Sequence, residues 1–137
     1  MIVLDTHVLV WAIADDKRLG KATRNLIKQT AQTDRVAVSA ITPWEIALLV
    51  EKGRLRLGHD VRFWIDVALA LPGIHLVPIE PMIVVDSVSL PGEFHADPAD
   101  RFLVSTARIL NVPLVTADGT ILSYAAAGHV LALDATK

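Results

Sequence analysis

Short aliphatic runs, each followed by a longer stretch of helical period, constrain the fold of this chain more than any other feature. Ile2 to Asp5, Val36 to Ser39, Ile74 to Pro78 and Val112 to Thr116 read as strands, with Val130 to Leu133 a fifth. Their cores are apolar at successive positions rather than at alternate ones, the mark of strands covered on both faces. Between them the spacing predicts helices over Thr6 to Ala14, Lys21 to Gln32, Thr42 to Lys52, Val61 to Leu71, Pro81 to Leu90 and Pro98 to Leu110. The last is the clearest, with Phe102, Leu103, Thr106, Ala107 and Leu110 three and four residues apart. Strand–helix alternation of this kind implies an α/β sandwich around a mostly parallel sheet of 4–5 strands.

With 137 residues and 53% of them apolar, the chain suits a single domain spanning 1–137 with one core. No apolar run approaches the ~20 residues that a membrane helix needs. The N-terminus opens on a core strand rather than on a basic flank, so no leader, no membrane partner and a cytoplasmic location are expected. Cysteine is absent, which excludes disulfides and thiolate metal sites. The net charge of −2 is unevenly spread. Residues 1–62 hold 10 Lys/Arg against 7 Asp/Glu, and residues 63–137 hold 3 against 8. The groups Lys17, Arg18, Lys21, Arg24, Lys28 and Lys52, Arg54, Arg56 are suited to phosphates, or equally to solvated helix faces.

In an open parallel sheet, ligands bind beyond the carboxyl ends of the strands, where the following loops gather. Asp5 ends the first strand, Glu45 lies in the first turn of the helix after the second, and Asp118 follows the fourth by two residues. Asp100 opens the long late helix and joins them if that helix starts at the same edge. Each acid has a plain structural alternative. Thr42-Pro43-Trp44-Glu45 and Asp97-Pro98-Ala99-Asp100 share a cap, a proline and an acid at the third helical position, so Glu45 and Asp100 fit capping boxes. Asp5 fits an N-cap and Asp118 a turn or cap. Their convergence at one edge argues for more. Neighbouring carboxylates repel and shift upward unless a cation neutralises them. Oxygen-only ligands favour Mg²⁺ or Mn²⁺, and such ions activate water for attack on phosphorus.

The opening Asp5-Thr6-His7-Val8-Leu9-Val10-Trp11, the segments Ser39 to Ala47 and His95 to Val104, and Thr116-Ala117-Asp118 together resemble the motifs of PIN-domain proteins. In particular they resemble VapC toxins of bacterial toxin–antitoxin pairs, in order and over essentially the whole chain. The resemblance implies a PIN-like three-layer α/β/α sandwich and a Mg²⁺- or Mn²⁺-dependent endoribonuclease leaving a 5′-phosphate. It carries the catalytic acids to Asp5, Glu45, Asp100 and Asp118. Asp5 and Asp100 become direct metal ligands, with Glu45 and Asp118 acting through water. Thr6 and Thr116 are assigned to orienting a carboxylate or water, Asp97 mainly to capping, and Arg101 to a phosphate or acid contact. A homodimer and a cognate antitoxin whose tail covers the acids are also implied, beside the RNA substrate.

Rival readings are a catalytically silent PIN-like module that binds RNA or protein, a haloacid-dehalogenase-type phosphatase and a receiver domain. The phosphatase needs an acid where His7 stands, and the receiver needs paired acids that Asp5-Thr6 does not supply. The five histidines lack HExxH-type spacing, and His95 reads as a loop or capping residue. Trp11, Trp44 and Trp64 read as core or dimer surface.

Overall fold

The computed structural model describes residues 1–137. In chain order its elements are β1 (Ile2–Leu4), α1 (Thr6–Ala14), α2 (Lys21–Thr33), β2 (Val36–Ser39), α3 (Ile41–Glu51), α4 (Val61–Leu69), β3 (Ile74–Val77), α5 (Pro81–Val88), α6 (Pro98–Leu110), β4 (Leu114–Thr116), α7 (Gly119–Ala126) and β5 (Ala132–Asp134). The five strands form one sheet in the order β3-β2-β1-β4-β5, and every pairing is parallel. The expected sandwich with helices on both faces is the observed one.

Alternation along β1 divides the interior in two. Val3 faces one layer with Leu114, Leu103, Val104 and Ala107 of α6, and Ile121 and Tyr124 of α7. Ile2 and Leu4 face the other with Val36, Val38, Val115, and Val8 and Leu9 of α1. Val3, Val36, Val38, Leu103, Leu114 and Val115 are all fully enclosed. This explains why β1, β2 and β4 read as continuous apolar runs: neither face of these inner strands meets water, whereas the edge strands β3 and β5 are partly exposed.

The strand order places β1 and β4 side by side while the chain runs outward from them in opposite directions. Loops following these two strands diverge and leave a crevice at their carboxyl ends, the position where open α/β sheets bind ligands. Asp5 and Asp118 flank that crevice. α6 is oriented toward it by strong local signals. Asp97 caps its first turn by accepting from Asp100 N–H at 3.0 Å, and Pro98 occupies its first position. At the other end Asn111 adopts a left-handed φ of 54°, and Arg108 forks onto Asp86 of α5 at 3.0 and 3.3 Å.

Several boundaries differ from those predicted. β4 starts at Leu114 because Pro113 cannot donate to the ladder, and β5 lies two residues later than expected. α7 is absent from the prediction: it starts on a glycine after a turn-like Thr-Ala-Asp, and its eight residues show too few turns for a clear period. α3 begins at Ile41, one residue before its expected start. Thr42 is therefore inside the helix rather than at its cap, and Glu45 lies in the second turn. No helix is long and apolar enough to cross a membrane.

Gly73, which connects α4 to β3, has a φ of +83°, and a Cβ there would sit 2.3 Å from the Ala31 carbonyl oxygen. Gly73→Ala is expected to cost roughly 1–3 kcal/mol from the backbone conformation alone, and more from the clash, read as a lower urea midpoint.

Candidate acidic metal site

Asp5 is 6% exposed and stands at the N-cap position of α1, but its side chain caps nothing. It accepts instead from the Thr116 hydroxyl at 2.6 Å. The same hydroxyl oxygen accepts from the Asp118 backbone N–H at 3.0 Å. One threonine at the end of β4 thus ties the end of β1 to the β4–α7 turn. Asp118 has the cap role considered for it, accepting from Thr120 N–H at 2.9 Å, which leaves its second oxygen free toward the crevice.

Glu45 is not the capping-box partner that its spacing suggested. Thr42 is 1% exposed and its hydroxyl meets that of Thr6 at 3.1 Å, so this pair joins α1 to α3 rather than capping a helix. Placed in the second turn, Glu45 projects into the crevice, where its Oε1 is buried without a hydrogen-bond partner. An orphaned buried carboxylate oxygen is costly to maintain and is the kind of atom that a cation satisfies.

Asp100 stands at the centre. With Glu45 and Asp97 it forms one group, and with His95 and Asp118 another, whose candidate ligand atoms lie within 4.8 Å of one another. Asp97 therefore serves as cap and also lends a carboxylate to the cluster. His95 Nε2 lies 3.1 Å from Asp100 Oδ2, so of the two roles weighed for it, loop or capping residue and site residue, it takes the second as well. Its position two residues before Asp97 was the only sequence signal of this. The crevice, about 370 Å³, is closed on its other side by His7 and Trp11.

Arg101 is committed elsewhere. Its guanidinium donates to the carbonyls of Ser87, Phe94, His95 and Val88 at 2.8, 3.1, 3.1 and 3.4 Å, fastening the α5–α6 loop to the start of α6. The basic group running from Lys17 into α2 is partly neutralised by the acids just before it, since Arg18 pairs with Asp16 and Arg24 with Asp15. Trp11 is half-buried beneath the Arg18 guanidinium, 4.8 Å from the ring centre, while Trp44 is largely exposed.

Electrostatics at the site follow from crowding. Burial raises the Asp5 carboxyl above its usual range, and the Thr116 hydrogen bond partly offsets this. Burial also raises Glu45. Asp100 is pushed up to about 8, first by burial and then by Asp5, Asp97, Asp118 and Glu45. A set of oxygen ligands with surplus negative charge and an unpartnered buried oxygen fits a hard divalent cation.

A sequence model of the PIN domain matches residues 2–127. The chain belongs to the PIN-domain family. The match spans every element that contributes to the crevice. Among PIN relatives, it is similar to a protein named ribonuclease VapC22 of Mycobacterium tuberculosis (strain ATCC 25618 / H37Rv), with 34% identity over 123 residues, 90% of this chain and 91% of that one. Its fold is similar to that of VapBC2 from Rickettsia felis bound to a promoter DNA fragment, at a TM-score of 0.71, 18% identity and 98% coverage of both chains. It is likewise similar to VapBC-1 from nontypeable Haemophilus influenzae, at a TM-score of 0.69, 17% identity and full coverage of both.

A carboxyl raised on folding binds its proton more tightly in the folded state. Without a cation, the protein therefore loses stability as pH rises from near 3.8, where the unfolded Asp carboxyl ionises, to about 8, where Asp100 does. Thermal unfolding in EDTA is expected to show a midpoint falling between pH 5 and 8.5, restored by Mn²⁺ most strongly at the upper end. Asp100→Asn flattens that dependence. Separately, Thr116→Val leaves the Asp5 carboxylate and the Asp118 N–H without their shared partner, and an equilibrium urea titration is expected to register a loss of about 1–3 kcal/mol.

Proposed function

We propose that this chain is a metal-dependent endoribonuclease, the toxin of a toxin–antitoxin pair, and that it hydrolyses RNA phosphodiester bonds at the acidic crevice. The observation that carries this reading is the convergence of Asp5, Glu45, Asp100 and Asp118 at the switch point of the sheet, with Asp100 inside both candidate ligand groups. The 34% identity to a protein named as a ribonuclease supports the reaction class.

In this reading Asp5 and Asp100 would hold Mg²⁺ or Mn²⁺ directly, with Glu45 and Asp118 acting through water; Asp5 lines the crevice but stands outside both groups of close-set ligand atoms. When bound, such an ion lowers the pKa of a water and stabilises the leaving oxygen of the phosphodiester. The chain's own residues do the rest. Thr116 fixes the free Asp5 oxygen toward the crevice by engaging the other one, and Thr6 with Thr42 sets the distance between α1 and α3. Asp97 holds the start of α6 so that Asp100 faces inward, and His95 constrains the Asp100 rotamer. Water attack on phosphorus leaves a 5′-phosphate and a 3′-hydroxyl.

A cognate antitoxin, a homodimer and a cytoplasmic setting belong to the same proposal. Complexes named VapBC among the structural neighbours, and the acidic charge at the crevice, support a partner with a basic inhibitory segment. We also take residues 1–137 as one domain, because β5 near the chain end completes the sheet begun by β1.

The test is cleavage of total RNA by purified, antitoxin-free protein with Mg²⁺ or Mn²⁺, against EDTA. Cleavage is expected to require the metal, and to fall by at least ~100-fold in Asp5→Asn and Asp100→Asn, since loss of a ligand should cost no less than loss of its supporting contacts. Folded protein inert toward a broad RNA panel would move the silent binding module ahead. Equal cleavage in EDTA and in the variants would refute the carboxylate site.

A further inference from the structure

A second and larger cleft, about 780 Å³, opens beside the acidic crevice between the α5–α6 loop and α7. His95 is common to both: its Nε2 meets Asp100 while its ring lies 4.5 Å from that of Phe94. From there the rings continue inward, Phe94 to Tyr124 at 4.8 Å and Tyr124 to His129 at 4.7 Å. Along the α7 wall, which also carries Tyr124, stand the exposed Thr120 and Ser123, whose side-chain hydroxyls make no hydrogen bond within the chain. Thr120 lies two residues beyond Asp118, so this wall too leads directly to the carboxylates.

Rings alone do not require a ligand, since aromatic contacts also fill cores. Here the series differs from a core cluster in three ways. It grades from buried Tyr124 through half-buried Phe94 to His95, which is 38% exposed. Its solvent side is bordered by unpaired hydroxyls, while Phe94 also packs against the apolar layer that contains Tyr124. Its loop is held at the Phe94 and His95 carbonyls by two hydrogen bonds from Arg101, which also donates to the Ser87 and Val88 carbonyls at the end of α5. Flat π-faces beside unpaired donors and acceptors suit an unstacked nucleobase, whose face stacks while its edge is hydrogen-bonded. The cleft also moves the base away from the surplus negative charge that the phosphate must approach.

We propose that this cleft receives a base of single-stranded RNA adjacent to the scissile phosphate, stacked on Phe94 and His95 with its edge on Thr120 and Ser123. The proposal rests on the ribonuclease reading, and it makes the α5–α6 loop and α7 the source of sequence preference. Base stacking binds without regard to the metal, so occupancy of the cleft is separable from turnover.

The experiment uses full-length protein made inert by Asp5→Asn and 12-nucleotide RNAs of randomised sequence with 2-aminopurine tiled through each position. Stacking quenches that fluorophore at one or two positions of the tile. Adding Phe94→Leu, which keeps bulk but removes the ring, or Ser123→Trp, which fills the cleft from its rim, is expected to abolish the quenching and weaken binding roughly 10- to 100-fold. Matching thermal midpoints exclude a folding defect, and in the otherwise wild-type background Mn²⁺ affinity stays unchanged. Absence of quenching with the Asp5→Asn protein, or equal quenching in all three, overturns the proposal. So does a loss confined to antitoxin binding, which would make the cleft a protein-docking site. Failure of the wild type to cleave RNA with metal would instead remove the ribonuclease reading, and the quenching result would still stand as a measure of base binding.

Discussion

The Thr116 hydroxyl is the contact on which the rest of the site depends. It donates to Asp5 and accepts from Asp118 N–H, so the ends of β1 and β4 are held at a fixed separation by one oxygen atom. Those two strands are the pair between which the order of connection in the parallel sheet reverses. A threonine suits the position because its methyl group packs in the fully buried strand end while its hydroxyl serves both partners. Valine would retain the packing and strand propensity and lose both bonds. The Thr6–Thr42 pair plays the corresponding part between α1 and α3. Two buried hydroxyl contacts therefore set where three of the carboxylates emerge, although none of the four threonine and aspartate side chains involved is held by a formal ion pair.

Stability and chemistry conflict at the crevice. Five carboxylates converge where burial already disfavours charge, and Asp100 responds by retaining its proton up to about pH 8. Nothing within the chain relieves this fully, since His95 meets one Asp100 oxygen and Glu45 Oε1 meets no donor. The two apolar layers on either side of the sheet support the unfavourable geometry. Regular packing of β1 and α6 is the compensation that allows the edge between them to remain electrostatically frustrated.

Much of this was legible in the sequence because the relevant physics is local. The apolar strands, the run from Asp97 to Leu110 with its cap and proline, and the placement of Asp5 and Asp118 after strands all follow from short-range pattern. The meeting of Asp5 with Glu45, Asp100 and Asp118 in one crevice was expected from the general rule that ligands gather beyond strand ends, whereas the strand order was not read from the sequence. What escaped depended on longer-range geometry. Thr42 resembles an N-cap, yet its helix starts one residue earlier and its hydroxyl turns to Thr6, 36 positions away. α7 is short and glycine-initiated, and it is stabilised by packing on β4 and α6 rather than by its own period. For His95 the spacing from Asp97 left a loop role and a site role both open, and Arg101, donating to the Phe94 and His95 carbonyls, holds the loop where His95 meets Asp100.

The central place of β1 has a consequence for biosynthesis. β1 is flanked by β2 and by β4, the latter more than a hundred residues further along the chain. A nascent polypeptide that has reached only Asp5 and Glu45 therefore lacks both Asp100 and the strand, with Asp118 after it, that completes their platform. Local helices can form during elongation, but the non-local pairing that closes the sheet must wait for the last quarter of the polypeptide. Catalytic competence thus arrives late and all at once. For an enzyme directed against RNA, this order of assembly delays any encounter between a working crevice and the ribosome, messenger and transfer RNAs still engaged in making it.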